Sequence, residues 1–167
     1  MSNPLLDELT QAAAADGVID VFLDIDATRR GMGLEFEPLH EVYIKDALTD
    51  ISLITGLKFN FVDFESDCEL SFHRISDLQQ WNLPDGAVGV ATPSKKKTHN
   101  VVYFEDVWSE ELQQAVIYHE IGHIFGLEHP EEQNFFVTTS DTIMSYYVDE
   151  FVGYTASDVL AFNEIWL

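Results

Sequence analysis

A single cysteine, Cys68, stands among the 167 residues, so no intramolecular disulfide can form and a four-cysteine zinc site is excluded. Beside the apolar run that follows it, Cys68 reads as a small buried hydrophobe, with a reactive or latency thiol as the alternative. Positive charge is scarce. Against 30 Asp and Glu there are only 8 Lys and Arg, a net charge of −22. Such a surface repels nucleic acid and anionic membrane, keeps a chain in solution, and favours cationic partners and bound cations such as Ca²⁺. No apolar run approaches the roughly 18 residues of a membrane span. The opening "MSNPLLDELTQAAAADG" lacks the basic start and long apolar stretch of a secretory signal. The expectation is therefore a chain that stays inside, leaves by a leaderless route, or carries its signal elsewhere. Repeats, low-complexity linkers and Pro/Gly-rich hinges are missing too, and hydrophobic residues make up 46% of the chain, so one folded domain spanning 1–167 is expected.

Periodicity divides that domain. "VIDVFLDID" (18–26) alternates and is β-branched, a strand. Residues 37–56 carry apolar side chains at Leu39, Val42, Ile44, Leu48, Ile51 and Ile54 and end at Gly56, a helix with its C-terminal glycine. "LKFNFVDF" and "CELSFHRI" are two strands around the acidic turn "ESD"; "AVGVA" and "NVVYFED" are two more. Ser109 caps a long helix, "EELQQAVIYHEIGHIF", closed by Gly126. Thr155 and Asp158 make a capping box for a last helix, "ASDVLAFNEIW". Residues 1–16 read as a helical arm docked on the domain, with a removable pro-segment as the alternative. One sheet with helices packed on it follows, α+β or α/β with few crossovers.

The chemistry concentrates in "HEIGHIFGLEH" (119–129). On a helix, positions four apart share a face one turn along, so His119 and His123 point to one ion. Glu120 sits about 100° round from His119, beside that ion, where a general base for an activated water belongs. His129 would face elsewhere if the helix continued. Gly126 can break it, since glycine takes the left-handed conformation without steric penalty, and the chain can then return His129 to the ion. Three imidazoles leave a fourth tetrahedral position open, the pattern of a catalytic zinc rather than a closed structural one. Nickel, cobalt or iron on the same histidines is a further alternative.

Downstream lies "DTIMSYY" (141–147). With the full His-Glu-x-x-His-x-x-Gly-x-x-His at 119–129, the chain resembles the metzincin zinc peptidases, and within them the serralysin and matrixin groups. The resemblance implies an α+β fold: a twisted, mostly parallel five-stranded sheet with one antiparallel edge strand, two long helices, an irregular lower subdomain and a C-terminal helix. It implies one catalytic Zn²⁺ on His119, His123 and His129, Glu120 as general base, Met144 as a floor beneath the imidazoles, and Tyr146 steadying the oxyanion, with Tyr147 the competing tyrosine. It implies a substrate-pairing edge at Val88, Gly89, Val90 and Ala91, where an extended peptide adds as a strand. Glu105 and Asp106 fall where matrixins bind Ca²⁺. The histidines of the matrixins' second, structural zinc are replaced by Val90 or its neighbours and by Tyr103, so that site is not expected. The matrixin propeptide cysteine motif and the serralysin glycine-rich repeats are absent. His40, His73 and His99 are left as solvated or hydrogen-bonded histidines. The resulting expectation is a monomeric, extracellular zinc endopeptidase acting on protein or peptide substrates, open to a proteinaceous inhibitor. The alternative is a zinc-binding decoy or interaction module that does not cut.

Overall fold

The computed structural model describes residues 6, 9–10, 16–26, 33–83, 85–93, 100–105, 109–130 and 136–167, with 100–104 described in their backbone. The elements are β1 (Val18–Leu23), β2 (Gly33–Leu34), α1 (Pro38–Thr55), β3 (Lys58–Phe61), β4 (Leu70–Ile75), β5 (Gly89–Pro93), β6 (Asn100–Glu105), α2 (Glu110–Ile124) and α3 (Ala156–Trp166). The architecture is the expected α+β one. The sheet runs β3-β1-β4-β6-β5, parallel throughout except for β5, which pairs antiparallel with β6 and forms an edge. One strand escaped the sequence: β2, two residues long, adds antiparallel to β4 beyond the end of β1. Two residues cannot show a period, so nothing in the sequence marked them.

Every residue of β4 is buried, as a central parallel strand covered on both faces should be. Leu70 and Phe72 point into the main core. Their neighbours Ser71 and His73 point the other way, and that polar face is satisfied internally. His73 bonds Asp24 through Nδ1 at 2.9 Å and Ser71 through Nε2 at 3.1 Å. All three side chains are almost completely buried, so His73 is a structural histidine.

Helix α1 begins at Pro38 and is capped reciprocally: Nδ1 of His40 accepts from the Glu37 N–H at 3.1 Å. That leaves the His40 proton on Nε2, which donates to Gln113 on α2 at 3.0 Å. The buried stripe of α1 is Ile44, Ala47, Leu48 and Ile51; of the apolar positions that marked the helix, Leu39 and Val42 are exposed. Gly56, at φ 78°, ends the helix. Leu9 is fully buried in the main core, and Leu6 lies against Gly126, so both described leucines of the N-terminal segment belong to the domain's packing. Cys68 is buried. No described helix is long and apolar enough to cross a membrane. His99 and Asp106 lie outside the described residues.

Candidate metal centre and cleft

Helix α2 is built to carry two histidines on one face. Ser109 caps it, its hydroxyl accepting from the Leu112 N–H at 3.2 Å. The helix ends in a Schellman turn: the Leu127 N–H donates to the Gly122 carbonyl at 2.9 Å and the Gly126 N–H to the His123 carbonyl at 3.2 Å. Gly126 holds φ 101°, which an L side chain rarely adopts. The turn reverses the chain and delivers His129 to the two helical histidines.

The three imidazoles converge. Nε2 of His129 is 3.1 Å from Nε2 of His119 and 3.1 Å from Nε2 of His123. Tetrahedral zinc, with Zn–N about 2.0–2.1 Å, would space its nitrogens at about 3.3 Å. The other ring nitrogens decide the tautomers. Nδ1 of His119 donates to the Ile143 carbonyl at 2.9 Å, and Nδ1 of His123 donates to the Leu127 carbonyl at 3.0 Å. Both Nε2 atoms therefore present lone pairs, and a single His129 proton cannot satisfy two of them. Lone pairs crowded this closely call for a cation, and the carbonyl partners are those that orient metal-binding imidazoles. The donor set fits zinc. Among the described residues, this is the one group of three or more His, Cys, Asp or Glu close enough to hold a metal ion.

Burial and mutual repulsion keep the rings neutral. The His119 pKa is lowered to about 3, chiefly by burial and then by His123; that of His123 is lowered to about 4, again chiefly by burial. Burial lowers His129 as well.

Glu120 is 7% exposed and faces β5. Burial raises its pKa to about 8, against the pull of a backbone hydrogen bond from Ala91. A cation on the neighbouring imidazoles would draw it back down. Gly89 explains how the strand comes so close. A Cβ there would sit 2.7 Å from Cγ and 2.8 Å from Oε1 of Glu120, and 2.8 Å from Cγ1 of Val116. Real Cβ atoms essentially never approach that near, so only glycine lets β5 rest against the helix.

Met144 is 1% exposed and lies against α2 between its two histidines, at Gly122. A Cβ on Gly122 would meet its Sδ at 2.8 Å, so a second glycine lets this residue press up against α2. The segment is anchored from α3. Asp158, besides capping that helix through Thr155, accepts from the Ile143 N–H at 3.0 Å and from the Thr142 hydroxyl at 2.6 Å. One buried carboxylate thus holds the residue whose carbonyl orients His119. The capping box pointed to Asp158, but not to this second duty.

Tyr146 packs its ring against His119, with centroids 5.7 Å apart and planes 27° apart, and its hydroxyl is 3.3 Å from Nδ1 of His129. Burial and the Glu120 charge raise its pKa, so the phenol keeps its proton near neutral pH. It lines a cleft of about 660 Å³, whereas Tyr147 does not. Val88, Gly89, Val90 and Ala91 line that cleft together with Leu112, Ala115 and Val116 of α2 and with Thr139, Ile143 and Val148. Gly89 to Ala91 lie on the edge strand, and Val88 stands just before it.

Compared with known families, residues 37–166 match the family model of the matrixins. No curated protein matches the chain.

Proposed function

The chain belongs to the matrixin family, and from that premise we propose that it is a zinc-dependent endopeptidase whose zinc is held by His119, His123 and His129. One observation carries the reading: three convergent Nε2 atoms, two with their tautomers set by carbonyl partners, stand beside a buried glutamate at the edge of an open cleft.

When bound, zinc supplies Lewis acidity, polarising the scissile carbonyl and acidifying the attacking water. The chain's own groups do the rest. The edge of β5 away from β6, which has no strand partner among the described residues, pairs with an extended peptide and lays its carbonyl beside the imidazoles. Glu120 takes a proton from the water as the C–O bond forms, then delivers it to the amine as the C–N bond breaks. Its burial against Gly89 and the Ala91 N–H hold the carboxylate in place and keep bulk water from its back. Tyr146, protonated and 62% exposed on the cleft wall, has the freedom to swing its hydroxyl from His129 to the oxyanion. Met144, packed against Gly122, supports the stretch of α2 that carries the two helical histidines.

The test is cleavage of a mixed quenched-fluorescent peptide library with chelator, without it, and with zinc restored. Chelator-sensitive cleavage that returns with zinc is expected. Glu120→Gln should keep one zinc per chain and lose about 10²–10⁴-fold in turnover, the usual contribution of a general base. A folded, zinc-loaded protein that cuts nothing would overturn the peptidase reading, and near-normal turnover by Glu120→Gln would overturn the assignment of the base.

A further inference from the structure

Three elements line the cleft, and they differ in kind: β5 and α2 are regular, whereas the third is a loop with no helix or strand among the described residues 136–155, so its position depends on whatever ties it.

Asp149 is that tie. Its carboxylate accepts from the hydroxyls of Thr138 at 2.7 Å, Thr139 at 3.0 Å and Ser140 at 2.9 Å. It also accepts from the backbone N–H groups of Ser140 at 3.1 Å and Glu150 at 2.8 Å. The Asp149 N–H donates back to the Thr139 hydroxyl at 3.2 Å, and the Thr139 N–H donates to the Tyr147 carbonyl at 3.0 Å. One carboxylate so joins the start of the loop to its end, and the enclosed residues include Thr139, Ser145, Tyr146 and Val148 of the cleft wall. Asp158 secures the floor of the same segment at Thr142 and Ile143 but does not reach the rim. The donors around Asp149, the Thr138 hydroxyl foremost, hold its pKa below the usual carboxylate range, so the tie stays charged through mildly acidic conditions.

We propose that Asp149 is a positioning residue that sets the width of the cleft between this loop and α2, and with it which side chain is accepted next to the scissile bond. The inference rests on the peptidase reading and adds a determinant of its specificity. A loop released at the rim admits small and large side chains alike.

The experiment compares wild type, Asp149→Ala and Asp149→Asn, each shown to carry one zinc per chain. It measures kcat/KM on peptides that differ only in Ala, Leu or Phe after the cut. A methylene in a fitted pocket is worth about 10–200-fold, so Asp149→Ala should flatten the ratio between best and worst peptide by about tenfold or more. Asp149→Asn keeps one acceptor oxygen, and the Thr138 and Ser140 hydroxyls can rotate to meet its amide, so it should retain most of that ratio. Amide hydrogen exchange gives a readout independent of activity: segment 138–150 should exchange about tenfold faster or more in Asp149→Ala, with 110–124 unchanged. An unchanged exchange rate in 138–150 overturns the proposal whether or not any peptide is cut, and so does faster exchange with an unchanged ratio. If wild type cuts nothing, the peptidase reading and the specificity role fall together, and exchange then decides only whether Asp149 ties the loop.

Discussion

Replacing Gly89 with alanine tests the closest contact in the cleft. The added methyl would lie 2.7–2.8 Å from Cγ and Oε1 of Glu120 and from Cγ1 of Val116. Ordinary carbon contacts begin at about 3.5 Å, so strand or helix must yield by about 0.7 Å. Helix α2 resists, because Val116 and Glu120 are buried and its next turn carries the histidines. The yielding element is β5, an edge strand with one strand partner among the described residues. Overpacking costs about 1–3 kcal/mol. Replacing a glycine at the start of a strand returns at most about 0.5–1 kcal/mol, the value for a strand interior. The net loss is about 0.5–2 kcal/mol, which lowers Tm by a few degrees at this chain length. Activity should suffer more than stability. Moving β5 separates the Ala91 N–H from Glu120 and shifts the peptide against the water, and a misplacement near 1 Å can cost about 10²-fold. The assay is kcat/KM on the best peptide, with zinc content and Tm measured on the same samples. Thr92→Ala is the control on the same strand, since among the described residues the Thr92 hydroxyl meets only the carbonyl of Pro93. A Gly89→Ala protein with full zinc, unchanged Tm and kcat/KM within twofold of wild type would refute the argument that space alone demands glycine here.

Gly126→Ala combines a forbidding φ of 101° with a Cβ only 2.9 Å from Cδ1 of Ile165, so a loss of about 1–3 kcal/mol is expected, with weaker zinc binding in a chelator-competition titration. Equal zinc affinity would show that His129 reaches the cluster without this turn. Leu9→Ala empties a fully buried core position and should cost about 2–5 kcal/mol in denaturant unfolding, whereas a dispensable N-terminal arm would leave the midpoint in place. The metal-free protein should show a pH optimum of stability. His119 and His123, lowered from 6.5 to about 3 and about 4, protonate first in the unfolded chain, so stability falls as pH drops below about 6.5. Glu120, raised from 4.5 to about 8, is protonated first in the folded chain, so stability also falls as pH rises toward 8. Between about 4.5 and 6.5 the two histidines outweigh the one glutamate, placing the maximum near pH 6.5. Zinc occupies the imidazole lone pairs, and the loaded protein should lose this curvature; thermal scans of both forms at pH 5, 6.5 and 8 check it.

Local rules made much of this molecule legible in its sequence. The spacing of His119 and His123 is a property of any α-helix, so their common face needed no further contact to be read. Gly126 announced the turn and Ser109 the cap, because caps and turns are settled within a few residues. The alternation that marked the strands located them but not their exact ends: β5 begins at Gly89 rather than Ala87, and β1 stops at Leu23 with Asp24 turned inward to His73. The apolar spacing of α1 located the helix but not its covered side: Leu39 and Val42 are exposed, since the partner surface chooses which part of a broad apolar arc is covered.

Packing alone settled whatever needs partners distant along the chain. The tautomer of His119 depends on Ile143, which depends on Asp158 one helix away. Glycine at 89 is required by Glu120, 31 positions on, and not by its own backbone, which holds no left-handed angle. The five donors that gather on Asp149 lie 1 to 11 residues away, yet composition shows only one more acid among 30. Helix geometry and one glycine turn, both readable along the chain, bring three histidines and a glutamate to one centre of the cleft, because each acts over a few residues. The packing of sheet, loop and last helix around α2 decided how tightly that centre is held and what shape of chain can enter it, because those distances exist only once the far parts of the chain have met.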